Sequence, residues 1–249
     1  MKEIAPAGPD FVKRLPSRLA DDAEARRQWG VEAAVLSALA GRGAPLFVGA
    51  GEDAEGPWIR MRTVPWATFG AHLDTRPAPD WMERAAVAAF EALAAVHEAT
   101  DDEGPLGVVH ADLSPANVAI APDGSAATLL DFGLAVGRSW PRPRGGEFRG
   151  TVLYAAPEVA RAEPFDARAD LHALAASLLH VASGAAPRTS STFAAAIAEA
   201  AEAPLVPWAQ RAAHGLSPRA AQALVQCVAF DAAARPASAR DVVRGLGRP

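Results

Sequence analysis

Four polar residues in one short stretch have the types and spacing to do chemistry: His110, Asp112, Asn117 and Asp131, within VHADLSPANVAIAPDGSAATLLDFG (109–133). Two carboxylates and a carboxamide are the donors that metal-assisted phosphoryl transfer uses. One carboxylate accepts or orients the proton of an attacking hydroxyl. The amide and the second carboxylate hold a divalent cation against phosphates.

The elements that must position these groups are legible in the same stretch. Residues 117–121 and 127–130 read as short strands around Pro122, Asp123, Gly124 and Ser125, which supply turn chemistry. An antiparallel pair returns the chain to its starting end, so Asn117 and Asp131 face one ion. Three motifs follow in order: H-A-D-L-S-P-A-N (110–117), D-F-G (131–133) and G-T-V-L-Y-A-A-P-E (150–158). Together they resemble the eukaryotic-type Ser/Thr protein kinases. A lone D-F-G is weak evidence; three motifs in sequence are specific. The resemblance covers residues 67–249 throughout. It implies an α+β fold, a single kinase-like domain over 1–249, with a reduced β-lobe (1–65) and a mainly helical lobe (66–249).

Residue by residue, the resemblance implies Asp112 as the catalytic base, and Asn117 and Asp131 as Mg²⁺ ligands beside bound ATP. His110 is implied as a scaffold residue bracing the backbone near D-F-G. Lys13 takes the place of the strand lysine that pairs with ATP phosphates, and Glu32 that of the helix glutamate holding it. A flexible ammonium needs an anionic anchor to be aimed at phosphates. Taken alone, the two read as a surface lysine and a solvated glutamate. Met61 aligns with the gatekeeper, and Arg62 to Val64 with the hinge that meets adenine through its backbone.

Departures from the pattern are as informative. No G-x-G-x-x-G precedes Lys13, so the resemblance implies a small lobe without a Gly-rich loop. Phe11 stands where a small residue packs against adenine; its ring either lids the pocket or fills it. Ala111 replaces an Arg that receives activation-loop phosphate in regulated kinases, which argues against that switch. Ser114 replaces a Lys that reaches the γ-phosphate, removing part of the transition-state charge stabilisation. H-A-D-L-S also resembles the loop of the RIO atypical kinases, although the Ala-Pro-Glu segment does not.

Elsewhere, residues 11–15, 46–50 and 57–63 read as strands, the last two joined by an acidic turn. Apolar periodicity predicts helices over 21–41, 80–100, 166–183, 192–203, 217–230 and 238–246, with Ser217 and Ser238 as N-caps. Residues 101–105 read as a solvated loop and 134–149 as a Gly-, Pro- and Arg-rich surface loop. The resemblance further implies that Thr151 touches Asp112, that Asp170 anchors the catalytic-loop backbone, and that Arg235 pairs with Glu158.

Composition sets the outer bounds. A chain of 249 residues, half hydrophobic and with formal charge −5, builds a sizeable core and gives no support to nucleic-acid or membrane-surface binding. The single Cys227 excludes an internal disulfide and a Cys-based zinc site. With no apolar run long enough for a bilayer and no signal-peptide core, a cytoplasmic location is expected. The sequence therefore points to an ATP- and Mg-dependent phosphotransferase acting on a protein hydroxyl. A pseudokinase scaffold with a protein partner and a small-molecule phosphotransferase are the alternatives.

Overall fold

Asp22 starts the first long helix: its carboxylate accepts the Ala25 N–H at 2.8 Å, satisfying one of the orphan donors of a helix N-terminus. The computed structural model describes residues 9–140 and 148–247. Residues 1–8, the greater part of the 1–10 stretch expected as an irregular lead-in, and the centre of the Arg-rich loop lie outside the described residues. Strand β1 (Asp10–Arg14) is followed by helix α1 (Ala23–Leu39), then β2 (Phe47–Asp53) and β3 (Gly56–Arg62). The strands form an antiparallel sheet in the order β1-β3-β2. Phe11 pairs with Met61 and Lys13 with Ile59. Directly paired residues share a face, so Phe11 and Lys13 stand on the face that buries Ile59 and Met61. Val35, Leu36 and Leu39 of α1 complete that apolar layer.

The larger part is helical. It comprises α2 (Pro79–His97), the two-residue strands β4 (Thr100–Asp101) and β5 (Gly104–Pro105), and the hairpin β6 (Val118–Ile120) with β7 (Ala127–Leu129). Helices α3 (Pro157–Ala160), α4 (Arg168–Ser183), α5 (Phe193–Glu202), α6 (Val206–Ala212), α7 (Pro218–Cys227) and α8 (Ala239–Leu246) follow. α4 is central, with Leu171, Leu174, Leu178 and Leu179 all buried. A helix apolar around its whole circumference belongs in a core. No helix of the described residues is long and apolar enough to cross a membrane.

Backbone hydrogen bonds tie the hairpin to both neighbours. Leu129 N–H donates to Gly43 O at 2.8 Å and Ile120 N–H to Ala67 O at 2.9 Å. Gly43 has φ +65°, and a Cβ there would lie 2.2 Å from Ala92 O. Only glycine lets the α1–β2 connection sit against α2 this closely.

Most expected elements form with boundaries moved by a few residues. Three differ. The expected loop at 101–105 carries the β4–β5 pair, and neither α3 nor α6 has a counterpart among the expected helices. Both are short, with Pro157 and Pro207 in their first turns, too short for apolar periodicity to reveal.

Glu158 and Arg235 form the buried ion pair, with Nη1–Oε1 at 2.6 Å and Nη2–Oε2 at 2.9 Å. Arg235 also donates to the carbonyls of Ala229, Arg168 and Phe230, so all five guanidinium N–H groups are used. An ammonium cannot reproduce that fork. Arg235→Met and Arg235→Lys are both expected to cost about 3–5 kcal/mol, measured by urea unfolding.

His172 is fully buried beside this pair, with Nδ1–H donating to Tyr154 O at 3.2 Å. Burial, reinforced by the charges of Arg235 and Arg188, holds its pKa well below the ordinary 6.5. The unfolded chain therefore binds this proton more readily than the folded one. Stability is expected to hold above pH 6.5 and to fall as pH drops below it. His172→Phe should flatten that acid limb in unfolding curves taken between pH 7 and pH 5.

Candidate active site

Lys13 is one of two lysines in a chain that otherwise carries its positive charge on arginine. Its Nζ donates to both carboxylate oxygens of Glu32 at 2.8 Å and to Asp131 Oδ1 at 3.2 Å. The three groups come from β1, α1 and the turn after β7, so the contact joins the sheet, the helix and the hairpin. Burial alone would lower the Lys13 pKa; the two carboxylates outweigh it, and the ammonium is held above its ordinary value. Glu32, nearly fully buried, is pushed up by that burial against the pull of Lys13. Two carboxylates face one ammonium, and the surplus negative charge suits a cation.

The catalytic-loop pattern is fixed from below. Asp170, buried at the start of α4, accepts the His110 N–H at 2.7 Å and the Ala111 N–H at 2.9 Å. His97 Nε2 contacts the same carboxylate at 2.9 Å. This clamp holds Ala111 at φ +64°, a left-handed conformation that alanine adopts only at a cost. Asp131 is likewise left-handed, at φ +62°. The His110 ring braces the return of the hairpin: Nε2–H donates to Leu130 O at 2.9 Å, and the ring lies 4.7 Å from that of Phe132.

Asp112 leaves this loop facing the segment after residue 148. Its Oδ1 accepts the Thr151 N–H at 2.7 Å. Burial raises its pKa, while the Thr151 hydrogen bonds oppose the rise. Gly150 has φ +102°, and a Cβ there would stand 3.0 Å from Asp112 Oδ1, so glycine is required where the segment passes the carboxylate. Asn117 Nδ2–H donates to Asp112 O at 2.8 Å.

The other candidate residues are placed as follows. Met61 is buried beneath the sheet. Arg62 ends β3, and its N–H donates to Leu46 O at 2.9 Å. That donor is spent on the sheet, and the guanidinium pairs with Asp10. Val64 lies just beyond, in the connection between β3 and the helical part. Phe11 stands on the Lys13 face of β1 and is 52% exposed. Ser114 is buried, with its carbonyl accepting the Asn117 N–H at 3.0 Å.

The donor set fits Mg²⁺. Among the described residues no cluster of three or more His, Cys, Asp or Glu is placed to hold a metal. Mg²⁺ characteristically takes one or two protein carboxylates and completes its shell with water and substrate phosphates. Asp131 and the Asn117 amide oxygen would supply such a partial shell.

Three contributors escaped the sequence reading. His97 looks like an ordinary helix-end histidine until α4 brings Asp170 to it. Arg188, buried, donates to the carbonyls of Val152, Leu153 and Ala155, clamping the segment after Thr151. Burial lowers its pKa to about 10 against the opposing charge of Glu199. Trp29 lies against Lys13. None of the three carries a motif; only the tertiary fold brings them to their partners.

Residues 73–244 match the family described as the protein kinase domain, and the chain belongs to that family. Among curated relatives it is 30% identical over 194 residues to the serine/threonine-protein kinase PknJ of Mycobacterium tuberculosis, covering 75% of this chain and 31% of that protein. It is 38% identical over 130 residues to the DNA damage-responsive serine/threonine-protein kinase RqkA of Deinococcus radiodurans, covering 50% and 19%. To the tyrosine-protein kinase MasK of Myxococcus xanthus it is 41% identical over 97 residues, covering 38% and 15%. The chain thus spans less than a third of the length of each of these relatives.

Asp170→Ala would leave the His110 and Ala111 amides buried without an acceptor. It is expected to cost about 3 kcal/mol in denaturant unfolding. Exchange of those two amides with solvent deuterium should rise more than that of the α4 core.

Proposed function

We propose that the protein transfers the γ-phosphoryl group of Mg·ATP to a serine or threonine hydroxyl of a protein substrate. The observation that carries this reading is the Lys13–Glu32–Asp131 contact, which is made across three elements while Thr151 holds Asp112. These are the groups a phosphoryl transfer needs, set in one place without strain except at Ala111 and Asp131, where strain is expected of a functional site. Family membership and the kinase relatives support the same reading.

Each group has a task in it. Lys13, aimed by Glu32, contacts nucleotide phosphate. Asp131 and the Asn117 amide oxygen hold Mg²⁺, which when bound neutralises phosphate charge. Asp112 accepts a hydrogen bond from the substrate hydroxyl and takes its proton as the oxygen bonds to the γ-phosphorus and the bond to ADP breaks. Its raised pKa makes it a better proton acceptor than an ordinary surface carboxylate. Thr151 beside Asp112 supports hydroxyls of serine and threonine over tyrosine. The Ser114 hydroxyl supplies no cation to the transferring group, so a modest turnover is part of the proposal.

Calorimetric titration of Mg·ATP into wild type and Asp131→Asn, followed by transfer assays on a protein substrate, tests the reading. Binding is expected to weaken in Asp131→Asn. Asp112→Asn should keep binding and lose about 10²–10⁴-fold in turnover. Mg·ATP binding without transfer in the wild type, on any protein substrate, would favour a scaffolding role instead.

A further inference from the structure

The Lys13 ammonium is bracketed on one flank by an aromatic face as well as by carboxylates. Trp29 sits on α1 three residues before Glu32, so the ring and the carboxylate project from the same side of the helix one turn apart. Lys13 Nζ lies 5.6 Å from the centroid of the Trp29 ring. The indole is half-buried and packed against the main core, which fixes its plane. The Lys13 side chain is 31% exposed. An ammonium over an indole face is attracted by the ring quadrupole, and the attraction grows when water is kept from one side.

We propose that Trp29 is a positioning residue for Lys13: its π-face and the Glu32 carboxylate hold the ammonium from two sides and leave the remaining side to phosphate. Asp131 is then not required to hold the lysine, and its carboxylate is available for the metal. A single carboxylate is a hinge about which a four-carbon stem can swing; a carboxylate with a ring face beside it fixes the direction as well. The consequence for nucleotide rests on the phosphotransferase reading, whereas the hold on Lys13 does not.

The experiment separates the two. Because the chain has only Lys2 and Lys13, acylation by an amine-reactive ester at one fixed pH, mapped by mass spectrometry, follows Lys13 directly in nucleotide-free protein. Trp29→Leu fills apolar space without a π-face, and Trp29→Phe keeps a weaker one. Acylation of Lys13 should be several-fold faster in Trp29→Leu and near wild type in Trp29→Phe. Mg·ATP affinity should fall about fivefold in Trp29→Leu and be largely restored in Trp29→Phe. Tri- and tetrafluorotryptophan at position 29, which keep the shape and drain the ring face, should weaken affinity in step with fluorine number.

Equal acylation rates in wild type and Trp29→Leu would overturn the proposal. So would equal effects of the leucine, phenylalanine and fluorinated variants, which would make Trp29 a packing residue. If the wild type binds no Mg·ATP, the phosphotransferase reading fails, while the acylation contrast still decides the role of Trp29.

Discussion

A single buried carboxylate sets the geometry on which the site depends. Asp170 lies at the N-terminal end of the central helix, where the helix dipole favours negative charge. It binds two consecutive backbone amides of the catalytic loop and the His97 ring. Those bonds force Ala111 into a left-handed conformation and point Asp112 outward toward Thr151. The most deeply packed element of the molecule is thereby coupled to the Asp112 carboxylate through one side chain. Rigidity of the helix becomes precision of the loop, which is how a scaffold positions a functional group within tenths of an ångström.

The electrostatics follow a division of labour between the two kinds of cation. Arginines do the structural work: Arg235 saturates its donors on Glu158 and three carbonyls, and Arg188 holds three further carbonyls. Both use a planar fork that suits fixed, multidirectional hydrogen bonding. The ammonium of Lys13 is a compact charge on a flexible stem, suited to a partner that comes and goes. A chain so strongly biased to arginine that keeps lysine here and among the described residues nowhere else marks the one position where mobility of the charge is useful. The surplus of carboxylates around it makes the site hungry for cations.

Much of this was legible in the sequence, and the parts that were not share a cause. Asp112, Asn117, Asp131 and the hairpin between them are local in sequence, so turn chemistry and motif spacing suffice to bring them together. Lys13 and Glu32 were legible only through the kinase resemblance, because nothing in either segment alone distinguishes a buried ion pair from two surface charges. His97, Arg188 and Trp29 were invisible because each acts through a partner brought by packing, at separations no periodicity encodes. The pairing of Arg235 with Glu158 was foreseen from motifs, but its five-fold saturation is a property of the fold.

The buried Tyr154 and Cys227 have a consequence for how the molecule carries charge in alkaline solution. They are the sole tyrosine and the sole cysteine of the chain, and burial pushes both to about 12. Lys13 is held above its ordinary value, whereas the buried Arg188 is lowered to about 10. The phenol and the thiol of the chain should therefore add almost nothing to the change of net charge across the mildly alkaline range.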